Sequence, residues 1–373
     1  MSVTRQRIGA VIGAAGITAA LMTGTAPAHA QPAAQALSAD CHKAVQSAAA
    51  RGEHTVTCTQ ATGTTAATAA TSTAMSAAAG LTCRAGYLTY DRHKACSVSS
   101  LRFDIIEVPS GKLLGTMNVR VTQRTSLAAR DSRTWKHTIG LYPTSASGAA
   151  RGVIASLKLN CGKSAKTKCT VTSAPGAKGL SVKKETSFPF ALKSPGSKTL
   201  KHKETPVVTL KAAVGSPATG SLAQAATVRC DSVKGITTKA GGCVHPGYVP
   251  VFAMSRTDKN VKEAAQHVWD AQRKLKGHPG LPGVGKPLHR TTDKALIKKN
   301  RGKACPSSLP RPTGKSCDEY PFASTKEGGA TGVFSRRMIN EKHNSTAGGS
   351  KYLLKAYKDN RILNGDAFWV AIS

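Results

Sequence analysis

Asp318, Glu319 and Glu327 fall within ten residues of one another, in the run Cys317-Asp318-Glu319-Tyr320-Pro321-Phe322-Ala323-Ser324-Thr325-Lys326-Glu327-Gly328-Gly329. Carboxylates this close can hold a hard divalent cation or take a proton from water. They stand out because acids are scarce. The 373 residues include 19 Asp+Glu against 53 Lys+Arg, a formal net charge of +34. So basic a chain is drawn to polyanions such as nucleic acid, anionic cell wall or anionic lipid. A carboxylate cluster inside a polyanion binder suits hydrolysis of nucleic acid. The spacing equally allows the three acids to pair with nearby Lys and Arg at the surface. Asp318 and Glu319 are neighbours, so on a strand they point to opposite faces and only one need enter a site. Gly328-Gly329 would let a phosphate come close to the backbone.

The elements that must position these acids lie far along the chain. Arg5 and Arg7 precede the apolar run Ile8–Met22, and Ala28-His29-Ala30 fits a small-x-small cleavage site, so residues 1–30 read as a signal peptide. No later run reaches the about 20 apolar residues of a membrane span. The mature chain is therefore expected to be secreted, with no transmembrane segment. Losing Arg5 and Arg7 takes the net charge from +34 to +32. From Arg229 onward, 26 Lys+Arg and 11 Asp+Glu leave +15, and the rest carries +17, so both halves can meet a polyanion. The ten cysteines fall in near pairs: Cys41 and Cys58, Cys83 and Cys96, Cys161 and Cys169, Cys230 and Cys243, Cys305 and Cys317. In an exported chain such pairs predict local disulfides. Zinc is disfavoured, because no Cys-x-x-Cys is present.

Composition divides the mature chain into three parts. Residues 31–80 are rich in Ala, Thr and Ser and read as a linker with one small disulfide loop. Residues 81–225 carry short apolar runs separated by Gly, Pro, Ser and Asn, among them Leu101–Val108, Leu113–Val121, Trp135–Tyr142, Val153–Leu159 and Thr186–Leu192. This spacing predicts a β-rich, sandwich-like accessory domain with a binding, targeting or inhibitory role. Residues 226–373 mix the two periodicities and predict a small α+β domain. Val249–Met254 reads as a strand and Asn260–Lys274 as an amphipathic helix. Lys294–Lys299 reads as a short helix or turn, Gly348–Tyr357 as a helix and Asp366–Ile372 as a final strand. The loop Gly280–Pro287 nearly matches a phosphate-binding P-loop but has Pro287 where Ser or Thr would hold magnesium.

Residues 317–329 resemble the signature of the NucA/NucB deoxyribonucleases, secreted bacterial endonucleases. The match is Asp318-Glu319-Tyr320-Pro321 followed by Glu327-Gly328-Gly329. A second block is similar: Asn344, Gly348-Gly349, a helix, a Gly365-Asp366 turn and an apolar strand. The resemblance spans roughly Arg229–Ser373 and does not reach the β-rich region. The Cys305/Cys317 pair is absent from the family's smallest members and reads as an added staple.

The resemblance implies a ββα-metal-like core in the C-terminal domain, with acids where such nucleases carry a base histidine. It implies Asp318 or Glu319 as general base, with Glu327 and Asn344 as metal ligands or water holders. His343, beside Asn344, is a further candidate for a histidine role. The cofactor implied is one divalent cation, Mg²⁺ or Mn²⁺. Arg290, Lys298, Arg301, Arg336 and Arg337 are candidates for holding DNA phosphates. Tyr320, Phe322 and Phe334 are expected in the core. The function implied is metal-dependent endonucleolytic hydrolysis of DNA with little sequence preference. The competing reading is a non-enzymatic basic extracellular protein that binds DNA or anionic cell wall.

Overall fold

A computed structural model describes residues 37–62, 81–130, 132–162, 164, 168–236 and 241–373. The expected signal peptide and most of the low-complexity run, residues 63–79, lie outside the described residues. The described residues from 38 to 373 belong to one compact unit, and two hydrophobic cores are found among them.

The first core is β-rich. Its larger sheet is antiparallel and sets Thr55–Thr62, Lys94–Glu107, Leu113–Leu127, Thr134–Ala146, Thr186–Lys193 and Thr170–Ser173 side by side. A four-stranded sheet built on Ile154–Cys161 and Glu204–Lys211 shares the same core. Alternation along Leu113–Leu127 produces this: Met117, Val119 and Val121 are buried while Asn118 and Arg120 face solvent. The first part of the expected linker is instead folded. Helix α1 (Ala39–Ala50) is capped by Ser38, and Thr55–Thr62 pairs with the strand Lys94–Glu107. This segment has too few large apolar side chains for a core of its own, and it borrows one by burying Val56 and Cys58 on the sheet. The boundary expected at residue 226 also moves. Val228, Cys230 and Cys243 belong to the first core, because Val228–Asp231 pairs with Leu200–His202.

The second core carries the mixed pattern. A small sheet places Ala367–Ile372 between Val251–Met254 and Leu288–His289. Helix α2 (Lys262–Lys274) buries Ala264, Ala265, Val268 and Ala271 against it. Helix α3 (Lys294–Ala304) starts at Asp293, whose carboxylate accepts from the Ala295 and Leu296 N–H groups at 2.9 and 3.3 Å. It runs a full turn beyond the short helix expected. Lys315–Tyr320 and Ser335–Asn340 form an antiparallel hairpin, followed at once by α4 (Glu341–Gly348) and then α5 (Leu353–Asp359). The helix expected over Gly348–Tyr357 is α5, which starts later, at Leu353, and ends at Asp359, while α4 before it was not foreseen. Tyr320 is fully buried and Phe322 packs on this core, whereas Phe334 is partly exposed beside the Arg336 guanidinium. All five expected cysteine pairs form disulfides.

Candidate active site

The strand Lys315–Tyr320 presents Asp318 and Glu319 to a cleft of about 830 Å³. Helices α2, α3, α4 and α5 supply the remaining walls, and Arg290, Lys294, Arg301, Arg311 and Asn344 line it. None of the lining residues comes from the β-rich core. Both acids reach the cleft although they alternate along the strand, since it runs between helices on either side.

Asp318 is held from α2. Its Oδ2 lies 2.7 Å from His267 Nδ1, and His267 Nε2 lies 2.9 Å from Ser335 Oγ. A carboxylate only accepts, so Nδ1 carries the hydrogen that points at Asp318. His267 is fully buried, and the contact fixes one oxygen of Asp318 and leaves the other to the cleft. Sequence reasoning missed His267. The available signal was a polar residue on the apolar stripe of α2, flanked in space by Ala264 and Ala271 one turn away on either side.

Glu319 faces α3. Burial pushes its carboxyl up to about 7, and the neighbouring Asp318 charge adds to the push. Arg301 and a backbone hydrogen bond at Ala323 oppose the shift. Arg301 Nε stands 3.9 Å from Glu319 Oε1, too far for a tight pair. Cys305 Sγ lies 3.5 Å from Glu319 Oε2, but it is bonded to Cys317 and has no hydrogen to give. Arg336 sits directly across the hairpin from Glu319 in the strand register, and its guanidinium donates to Ala304 O at 3.1 Å. A carboxyl poised near neutrality in a cleft is what general-base chemistry requires.

Asn344 projects from α4 back to the hairpin. Its amide nitrogen donates to Ser316 Oγ and Cys317 O, both at 3.0 Å. That fixes the amide and leaves its oxygen as an acceptor beside the Asp318 strand. His343 points elsewhere, with Nδ1 3.5 Å from Glu263 Oε1, and it does not line the cleft.

Glu327 is not with the other acids. It pairs with His289, through His289 Nδ1 at 2.7 Å and the His289 N–H at 2.8 Å. The two line a separate pocket of about 450 Å³ with Lys276, Lys286 and Lys326. The following glycines serve packing rather than an approaching phosphate. A Cβ on Gly328 would stand 2.5 Å from Asn300 Nδ2, and one on Gly329 2.5 Å from Asn300 O. Asn300 is fully buried and ties this turn to α3, donating to Ala323 O and Thr325 O and accepting from Ala330 N–H. Among the expected phosphate contacts, Arg290 and Arg301 line the cleft, while Lys298, Arg336 and Arg337 do not. Arg337 is paired with Asp270 at 2.8 Å.

The Cys305–Cys317 bridge joins the end of α3 to the residue preceding Asp318. Opening a loop of this size removes about 3 kcal/mol of stability. A Cys305→Ser/Cys317→Ser chain is therefore expected to melt earlier and to lose activity as the strand loosens. Denaturant melts and nicking rates of the double variant check this; a variant matching wild type in both measurements would show the bridge to be dispensable.

No described helix is long and apolar enough to cross a membrane. No curated protein matches the chain. Among solved structures, the chain is similar to the yeast GGA1_GAE domain at 15% identity over 28% of this chain and 88% of that one. The TM-score of 0.16 is too low to carry an argument. Residues 285–371, which hold Asp318, Glu319 and Asn344, match the family described as Deoxyribonuclease NucA/NucB. The match starts downstream of α2, so His267 lies outside it. Over residues 285–371, the C-terminal segment of this chain is thus similar to the NucA/NucB deoxyribonuclease family.

Proposed function

We propose that the C-terminal segment hydrolyses phosphodiester bonds of DNA as a metal-dependent endonuclease with little sequence preference, and that the chain works outside the cell. The observation that carries this reading is the placing of Asp318 and Glu319 together in a basic cleft inside the family-matched segment. The strand–strand–helix order of the hairpin and α4 supports a ββα-metal-like core. Five disulfides support an oxidising, extracellular setting.

The donor set suits a divalent cation. Asp318 retains one oxygen after binding His267, and Asn344 retains its amide oxygen. Mg²⁺ and Mn²⁺ favour hard oxygen ligands, and Mg²⁺ is commonly held by one or two carboxylates, with water and substrate phosphate completing the shell. Among the described residues, no three His, Cys, Asp or Glu side chains gather into a ready-made cage. Asp318 and Asn344 would hold such an ion, which when bound polarises the phosphate and bears charge on the leaving oxygen.

The chain's own residues do the rest. Glu319 as carboxylate takes a proton from the attacking water. The water oxygen forms a new bond to phosphorus as the in-line bond to the leaving sugar oxygen breaks, and that oxygen recovers a proton from solvent. Arg290 and Arg301 hold the non-bridging oxygens as charge builds on them. Binding through phosphates makes affinity fall steeply with salt. Supercoiled plasmid is expected to be nicked with Mg²⁺ or Mn²⁺ and left intact in EDTA. Plasmid that stays intact across metals, pH and salt would overturn the enzyme reading and leave a non-enzymatic polyanion binder.

A further inference from the structure

The cleft and the β-rich core share no lining residue, yet a loop held from the β-rich side also holds the cleft residue Arg290. Asn360–Asp366, between α5 and the last strand, is gripped from the β-rich side. Arg92, 3% exposed, spreads its guanidinium over this loop and the neighbouring chain. It donates to Asn360 O at 2.6 Å, Arg361 O at 3.0 Å, His245 O at 3.2 Å and Tyr248 O at 3.0 Å, and it meets Asp366 Oδ2 at 3.0 Å. Arg229 binds the other oxygen of Asp366 at 2.7 Å and Arg361 O at 2.6 Å.

The far side of the same loop holds Arg290. The Arg290 N–H donates to Asp366 O at 3.0 Å, and the Gly365 N–H donates to Arg290 O at 2.8 Å. The Arg290 guanidinium donates to Ile362 O and lies over the Tyr357 ring, 4.5 Å from its centroid. The Asn364 side chain accepts from the next cleft residue but one, Thr292 N–H, at 3.0 Å. A guanidinium with its backbone and one nitrogen fixed in this way is aimed before substrate arrives.

We propose that Arg92 of the β-rich region is a positioning residue for DNA binding, acting through the Asn360–Asp366 loop to aim Arg290 at a substrate phosphate. The β-rich region is then a working part of the nuclease rather than a tethered accessory or a removable inhibitor. The inference rests on the cleft being the DNA site proposed above.

The test measures binding of the full mature chain to a short labelled DNA duplex in EDTA, where no cleavage occurs, over a salt series. Each phosphate contact contributes about 0.9 to the slope of log affinity against log salt. Arg290→Gln is expected to lower the slope by about that amount. Arg92→Gln is expected to lower it equally, and the double variant to lose no more than either single one. A wild-type slope in folded Arg92→Gln, or losses that add in the double variant, overturns the proposal. If Arg92→Gln does not fold, Arg92→Lys keeps a charge for Asp366 but drops most of the carbonyl contacts. A partial loss of slope is then expected, and a wild-type slope overturns the proposal. A wild-type chain that binds no duplex would overturn the nuclease reading, and this one with it.

Discussion

Glu319→Gln is expected to nick plasmid at least about 10²-fold more slowly than wild type, the lower range for loss of a general base. The change keeps shape and removes the group that accepts the proton. Because burial raises the Glu319 carboxyl above its ordinary range, the wild-type rate should climb with pH and then level off. The variant should lose this limb. Stability should move the opposite way. A carboxyl raised from its ordinary 4.5 to about 7 favours the folded state fully below the lower value, and that contribution is lost as pH rises through the higher one. Wild type at pH 8 thus carries a buried charge that costs roughly 3 kcal/mol. In EDTA, Glu319→Gln should be more stable than wild type by up to about this amount at pH 8 and level with it near pH 4. Asp318→Asn should also be slow, whereas Glu327→Gln, outside the cleft, should change little. A folded Glu319→Gln chain that nicks at the wild-type rate would sink the assignment.

Arg361→Ala is expected to destabilise the chain by about 3–5 kcal/mol, the cost of stripping one partner from a buried ion pair. Both Arg361 and Asp231 are fully buried. The guanidinium meets both Asp231 carboxylate oxygens, Asp231 O at 3.0 Å and Ala129 O at 2.8 Å. It therefore bridges the β-rich core to the loop that holds Arg290. Arg361 also adopts a left-handed backbone, with φ +45, a conformation that its neighbours must enforce. Removing the side chain strips the buried Asp231 of its guanidinium and leaves it the Val233 N–H at 3.1 Å. Replacing both residues, as Asp231→Leu with Arg361→Met, should recover much of the loss, because a well-packed apolar pair avoids the desolvation cost. Denaturant melts of the three chains decide the matter. A loss under about 1 kcal/mol for Arg361→Ala would show that the bridge carries little.

What the sequence made legible was local. The strand could be read over Leu113–Val121 because burial alternates from Met117 to Val121, and the disulfides because each closes a short loop, 8 to 17 residues apart. Asp318, Glu319 and Asn344 could be singled out by motif, and the fold does gather them at one cleft. Long-range pairings were invisible. His267 acquires meaning only from a carboxylate 51 residues away, and Arg92 from one 274 residues away. Glu327 shows the converse. Its closeness to Glu319 along the chain suggested a shared site, but the intervening turn is drawn to α3 by Asn300 and hands Glu327 to His289. The Ala/Thr/Ser-rich start looked coreless because nothing local announces that a strand will join a sheet formed later in the chain.

The bridge between Cys305 and Cys317 gives the site a sense of place and time. Thiols stay reduced in a cytosol and pair in an oxidising milieu. A newly made chain still inside its producing cell would carry the Asp318–Glu319 strand unstapled, next to the one genome it must not harm. On the extracellular reading proposed above, closure of this bridge, one of five, would firm the strand of the site only after export.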